Sequence, residues 1–442
     1  MTLFVIDILL LIVLLLIGVP LPFVFGGGLI LMVLFGDINV VGLMIWGFNQ
    51  MLSPVLLASP FFMLAGTLIA ESGIAKKLME LANLFIGKAR SGLGFISILT
   101  CGILGAISGS CFTGVAAVGP ILIPEMEGRG YERGFATALV TCASVLGALI
   151  PPSIPIIIYG WVTGTSVLGS FLSTVVPGIL VIITFSLINY LYVKKLPPET
   201  QDNLDGDNID ENGVKTAVKK STDVIRTVVN AIPGILIPII ILGGIYGGIF
   251  TPTEAAAVAA ALALLVGFFI YKELKLKKTY EIFKTSSISI GAIMVMMMLC
   301  LMLSQTFVMM KIPQKLVKII MGLTSNKYVI LILINVFLAF MGMIVNDSTA
   351  IILTAPLLLP LITELGMSPI QFAAIMTINL AAGSLTPPYA SVLYYGMKIG
   401  DVKFNEIIGP AMRILLVGYV PVLLLTTFIE PITMFLPRLL GY

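Results

Sequence analysis

Stretches of about 20 apolar residues, the length that carries an α-helix across a bilayer, follow one another almost without interval through this sequence. No soluble core has room for so many. Composition agrees: 58% of the 442 residues are apolar and 11% are charged, against roughly half and a quarter in soluble domains. Ten crossings can be counted, at about 3–20, 24–46, 54–72, 134–160, 171–193, 231–250, 254–271, 285–309, 369–396 and 409–436. The expected class is therefore an all-α polytopic membrane protein whose solvent is the lipid bilayer. The first stretch, Leu3 to Val19, has no basic region before it and no small-residue cleavage site after it, so it is expected to remain as a span.

Several functions are excluded early. The sequence has no histidine, which removes His-ligated zinc, Ser-His catalysis and histidine proton relays. Cys101, Cys111, Cys142 and Cys300 lack ligand-type spacing and read as buried free thiols. No transition metal is expected. A net charge of +3, dispersed along the chain, does not suggest nucleic acid. There is no phosphate-binding Gly-Lys-Ser/Thr loop, so ATP is not the expected fuel.

One segment breaks the apolar run. From Lys194 to Arg226 the chain carries six Lys/Arg, seven Asp/Glu and a Pro197-Pro198 pair, and it reads as a polar cytoplasmic linker. It divides the chain into membrane halves 1–193 and 227–442, the linker spanning 194–226. Residues 113–164 fall on 349–400 after a shift of 236 positions without a gap, with 14 of 52 pairs identical. Among these are Pro120/Pro356, Pro124/Pro360, Gly147/Gly383, Pro151/Pro387 and Pro152/Pro388. Shared Gly and Pro at fixed offsets dictate shared backbone geometry. Two apolar stretches, about 92–125 and 328–364, are interrupted midway by small polar residues and read as re-entrant helical hairpins. Five crossings separate them, so they enter from opposite faces and the repeat is inverted. Nineteen Lys/Arg lie on the first hairpin's side and five on the other, with Arg413 left inside the last span, which places the first hairpin's opening in the cytoplasm.

Irregular backbone at membrane depth is tolerated only where protein encloses it or a cavity borders it. It is expected here in two related pairs. The first is the tip Ser108-Gly109-Ser110-Cys111-Phe112-Thr113 with the break Gly147 to Ser153 in the helix 134–160. The second is the tip Asn346-Asp347-Ser348-Thr349 with the break Gly383 to Tyr389 in the helix 369–396. Pro-Pro steps remove amide donors and strand carbonyls, which with Ser/Thr hydroxyls suit a hard cation such as Na⁺. Half-helix N-termini suit an anion. Interrupted helices at matching places in two halves point to a transporter site at the midplane. The plain alternative is that Pro and Gly only kink packed helices. Asp347 is the one carboxylate in either tip. It could ligate Na⁺, carry a proton, or cap the following half-helix. Ser110 and Thr113 could bond only to nearby backbone. Thr251-Pro252-Thr253-Glu254 reads as a capping box that opens a span. Seven methionines between Met294 and Met310 read as adaptable packing, and Trp46 and Trp161 as interfacial anchors.

With these residues in view, the chain resembles the large membrane subunit, the DctM-like M subunit, of tripartite ATP-independent periplasmic (TRAP) transporters. The resemblance covers nearly the whole chain and is most specific in Gly247-Gly248-Ile249-Phe250-Thr251-Pro252-Thr253-Glu254-Ala255, in Leu149-Ile150-Pro151-Pro152-Ser153 and in the twin-hairpin layout. It implies residence in a bacterial inner membrane and an elevator-type mechanism with Na⁺ coupling. It also implies a separate small membrane subunit (Q) and a periplasmic substrate-binding protein (P) that delivers a small carboxylated solute. Position by position, it implies one Na⁺ site around Ser108, Gly109, Ser110, Gly147 and Pro151, and a second around Asn346, Asp347, Thr349, Gly383 and Thr386. Substrate would lie near Ser110, Thr113, Ser153, Ser348 and Tyr389. No enzymatic activity is implied. The near rival is a citrate- or dicarboxylate-type anion carrier that works without a binding protein. An intramembrane aspartyl protease would need a second membrane aspartate facing Asp347, and a passive channel would show sodium-independent flux.

Overall fold

The computed structural model describes residues 1–86, 90–196 and 221–442; most of the polar segment 194–226 lies outside them. The described residues form helices and connections without a strand. In the first half these are α1 (Thr2–Leu16), α2 (Leu21–Phe35), α3 (Val40–Met51), α4 (Pro54–Glu71), α5 (Ile74–Ile86), α6 (Gly92–Ser108) and α7 (Cys111–Gly128). They continue as α8 (Arg133–Ala143), α9 (Leu146–Leu149), α10 (Ile154–Thr163) and α11 (Val167–Val193). The second half holds α12 (Ser221–Tyr246), α13 (Pro252–Leu265, followed by a π-turn), α14 (Leu276–Met309), α15 (Ile312–Leu323), α16 (Lys327–Ile344) and α17 (Asp347–Glu364). It closes with α18 (Pro369–Gly383), α19 (Ser391–Gly400), α20 (Phe404–Ile414, continuing through a π-turn), α21 (Val420–Phe428) and α22 (Glu430–Leu439).

Among the described residues, nine helical stretches are long and apolar enough to cross a bilayer. Large apolar side chains such as Phe23, Phe35, Ile183 and Phe269 are exposed, as expected where the surrounding solvent is lipid. The stretch Arg133–Thr163 differs from the rest, with 94% of its most apolar window buried, against 33–67% for the other eight. Its interruption is thus enclosed by protein, the condition under which backbone can leave a helix at membrane depth.

The shift of 236 residues carries α7 onto α17 at both ends and α6 onto α16 to within one residue. Both Pro151-Pro152 and Pro387-Pro388 peptide bonds are cis. Two of the expected crossings are corrected. The crossing expected at 24–46 is two helices, α2 and α3. Asp37 takes a left-handed conformation between them, and Asn39 caps α3 by accepting from the Gly42 amide. The crossing expected at 409–436 is α20–α21 only. The chain turns at Ile429, and α22, braced along its own length by an Arg438–Glu430 ion pair, packs on α11. Helices α12 and α14 begin before their apolar parts, because backbone hydrogen bonding continues through polar turns. Trp46 lies within α3 and packs on Leu29, Leu43 and Met302 rather than at a helix end. The expected capping box is present: the Thr251 hydroxyl accepts from the Glu254 amide, and the Glu254 carboxylate accepts from the Thr251 amide at 2.8 Å.

The halves interlock. Helix α8 packs on α19 and α20, α7 on α19, and α10 on α17. Gly396 and Gly400 lie against the Thr141 and Thr137 side chains, so that α8 and α19 approach closely. Arg133 Nε donates to the Gly400 carbonyl at 2.7 Å, and the Tyr159 hydroxyl to the Pro369 carbonyl at 2.7 Å. In the second half, Asn335 Oδ1 accepts from Asn379 Nδ2 at 2.8 Å and from the Thr427 hydroxyl at 3.2 Å, tying α16 to α18 and α21. Asn335→Leu removes that acceptor inside an apolar bundle. It is expected to cost about 1–2 kcal/mol, read as a lower midpoint of thermal unfolding in detergent. An unchanged midpoint would show that this junction does not hold the three helices.

Candidate functional site: two helix-pair tips around one cavity

The first tip follows from its local sequence. Gly109 ends α6 in the left-handed conformation (φ +63°), which favours glycine. Ser110 then caps α7, its hydroxyl accepting from the Phe112 amide at 3.3 Å. The Ser108 hydroxyl donates to the Leu104 carbonyl at 2.9 Å and accepts from the Ser110 amide at 3.4 Å. Across from this tip, α9 ends at Leu149 and α10 begins at Ile154, with the two prolines between. The Ile154 amide donates to the Gly109 carbonyl at 3.3 Å, binding tip to break main chain to main chain. Gly147 faces the Ser110 carbonyl so closely that a Cβ there would collide with backbone. The Ser153 hydroxyl is buried and donates to the Ala148 carbonyl at 2.6 Å.

The second tip is built on the same plan with different atoms. Asn346 caps α17, its Oδ1 accepting from the Thr349 amide at 3.1 Å and the Thr349 hydroxyl at 2.8 Å. Asp347 is therefore the first residue of the helix and not its cap. Its Oδ1 accepts from the Ser348 amide at 2.8 Å. The Tyr389 amide donates to the Met343 carbonyl at 3.0 Å, again joining break to tip. Gly383 faces the backbone of Gly342 with no room for a Cβ. The Thr386 hydroxyl donates back to the Ala382 carbonyl at 2.9 Å.

The two tips share one cavity of about 110 Å³. Residues from the first turns of four helices line it: Cys111 of α7, Pro155 of α10, Asp347 of α17 and Ser391 of α19. Helix N-termini present unpaired amides and the positive end of the dipole. Four of them at one cavity make an anion-favouring environment that also favours the Asp347 carboxylate. Helices α4 and α14 close the cavity from the side with Ser59, Met63, Met294 and Met297. Among the described residues no group of three or more His, Cys, Asp or Glu could hold a metal ion. The donors at the tips are hydroxyls, main-chain carbonyls and one carboxylate, a hard-oxygen set suited to an alkali or alkaline-earth cation rather than a transition metal.

Of the residues singled out for substrate, Ser110 and Ser348 line this cavity together. Thr113 lines an adjoining cavity that Ser110 also borders. Tyr389 borders a third, beside the α1–α2 turn, and the Ser153 hydroxyl is turned to its own backbone. Of the cation sets, Gly109, Ser110, Asn346 and Asp347 border the central cavity, while Ser108, Gly147, Pro151, Thr349, Gly383 and Thr386 stand outside its lining. Ser59, Ser384 and Ser391 line it too without having been singled out. Ser384 lies in the Gly383–Tyr389 break, a signal in plain sight. Ser59 sits mid-helix on α4, where only packing decides which face meets the cavity.

The sequence comparisons with known proteins agree on one family. The family described as "Tripartite ATP-independent periplasmic transporter, DctM component" matches residues 8–432. The isethionate TRAP transporter permease protein DctMQ of Oleidesulfovibrio alaskensis is 32% identical over 95% of this chain, which spans 64% of that protein's length. The C4-dicarboxylate TRAP transporter large permease protein DctM of Pseudomonas aeruginosa is 33% identical over 94% of this chain and 93% of its own. Among solved structures, the YdaH transporter of Alcanivorax borkumensis superposes with a TM-score of 0.59 over 88% of each chain at 16% identity, a likeness of fold.

Gly147→Ala and Gly383→Ala each push a tip away from its break. Each is expected to destabilise by about 1–3 kcal/mol and to abolish uptake in reconstituted vesicles. Gly243→Ala, whose Cβ would meet nothing within 4 Å, should leave both unchanged. Full uptake by either tip variant would show that close apposition is not required.

Proposed function

Because this chain belongs to the DctM-component family of tripartite ATP-independent periplasmic transporters, we propose that it carries a small carboxylated solute inward by sodium-coupled secondary transport. The observation that supports this most is the meeting of two related tips at one cavity containing a single enclosed carboxylate. Enclosing an unpaired charge in a bilayer protein is costly, and a Na⁺ beside Asp347 offsets that cost while building a binding surface. In this reading one Na⁺ is held by Ser108, Gly109, Ser110, Gly147 and Pro151, the other by Asn346, Asp347, Thr349, Gly383 and Thr386. The solute's carboxylate takes the helix N-termini between the tips, near Ser110 and Ser348, with Thr113, Ser153 and Tyr389 as the further expected neighbours.

The halves are inverted repeats in this proposal, with the hairpins opening to opposite faces, and the tips with their broken helices move as one unit against the remaining helices. Met294 and Met297 of α14 face the cavity, and flexible thioethers can repack as that unit slides. Each positive charge that crosses yields roughly 2.3 kcal/mol per 100 mV, so two Na⁺ with one monoanion are driven by voltage as well as by the sodium gradient. The solute is delivered by a periplasmic binding protein, a small membrane subunit completes the assembly, and the bacterial inner membrane is the site of action. The polar segment 194–226 links the halves on the cytoplasmic side.

Uptake of labelled succinate and other carboxylates into proteoliposomes, with and without Na⁺ and the partner subunits, tests the proposal. Sodium-dependent uptake that requires the binding protein is expected. Uptake by the chain alone would favour the rival binding-protein-independent carrier, and uptake indifferent to sodium would end the proposal. Asp347→Asn is expected to lower sodium activation at least tenfold, about 1.4 kcal/mol, at unchanged protein yield.

A further inference from the structure

Beside the central cavity lies a second of about 290 Å³, which shares Met63, Ser110 and Phe112 with it. Its polar lining consists of hydroxyls alone: Thr67 of α4, Ser110 and Thr113 at the first tip, and Thr285, Ser286 and Ser289 of α14. No charged side chain lines it among the described residues. Ser286 is 6% exposed, and its hydroxyl is buried without a hydrogen-bond partner. Local backbone bonding explains the Thr67 hydroxyl, which donates to the Met63 carbonyl at 3.0 Å. It does not explain Ser286. Beyond Thr67 and Thr285, Lys278 Nζ pairs with the Glu71 carboxylate at 2.9 Å and holds α4 and α14 together.

We infer that this second cavity receives the body of the transported anion and selects a polyhydroxylated monocarboxylate. The inference rests on the proposed transport reading, in which the carboxylate occupies the helix N-termini of the central cavity. A solute anchored there through Ser110 extends past Met63 and Phe112 into the hydroxyl-lined space. A second carboxylate would find no cationic side chain among the described residues lining that space. An alkyl chain would leave the Ser286 hydroxyl unpaired, and a site built to hydrogen-bond rejects analogues that cannot reciprocate. A chain of hydroxyls both donates to and accepts from such a wall. Ser286 and Ser289, with Thr285 beside them, are thus specificity-determining residues, whereas the anchoring machinery lies at the tips.

Equilibrium binding of radiolabelled gluconate, succinate and butyrate to the full chain in lipid nanodiscs, at saturating Na⁺, tests this. Gluconate should bind most tightly. The double variant Ser286→Ala/Ser289→Ala should weaken gluconate about tenfold and leave succinate and butyrate unchanged. Thr285→Val, at an exposed position where folding is not at stake, should shift gluconate in the same direction. Tightest binding of succinate, or equal weakening of all three ligands, would overturn the inference while the transport reading stands. Binding of none of the three would overturn this inference alone, whereas sodium-independent binding would overturn the transport reading and this inference with it.

Discussion

Within a bilayer, a peptide group that leaves its helix must find a partner in protein or in an enclosed pocket of water. This chain breaks its helices in places where another part of the same chain supplies that partner. The Ile154 amide reaches the Gly109 carbonyl, and the Tyr389 amide reaches the Met343 carbonyl. Each bond ties a tip to the break opposite it. Glycines at 147 and 383 let the backbones come that close. Everything proposed for the site depends on these two main-chain junctions, since without them the helix N-termini would not share a cavity.

The two tips are related but chemically unequal. Cys111 and Asp347 occupy corresponding positions, and both border the central cavity. One is a soft, neutral thiol and the other a carboxylate that accepts an amide of its own helix. The cap beside them differs as well, a serine hydroxyl at one tip and an asparagine carbonyl at the other. A duplicated backbone thus carries two different donor sets, and the proposed cation sites need not share an affinity.

Much of the architecture could be read from local signals. The end of α6 and the starts of α7 and α17 follow from Gly109, Ser110 and Asn346, because a left-handed glycine or a side-chain cap acts within three or four residues. The Thr251–Glu254 capping box is equally local. The division of 24–46 was readable in principle from Asn39, but continuous apolarity on both sides masked it. The turn at Ile429 depends on α22 packing against α11, a contact spanning more than 200 residues that no window contains. The inward-facing serines show the same limit. Ser59 and Ser391 meet the cavity because of how α4 and α19 are rotated by their neighbours, whereas Ser153 spends its hydroxyl on the Ala148 carbonyl.

By itself the sequence determined that the chain lives in a membrane, that it is helical, that it repeats after 236 residues, and where its helices are interrupted. Those properties come from hydropathy summed over a span and from Gly, Pro and capping residues acting on their own backbone. Only the tertiary structure decided that the interruptions meet, that four helix N-termini surround one cavity, and that a hydroxyl-lined space opens beside it. These depend on the packing of helices distant in the chain, where the face a helix presents is set by its partners and not by its own composition.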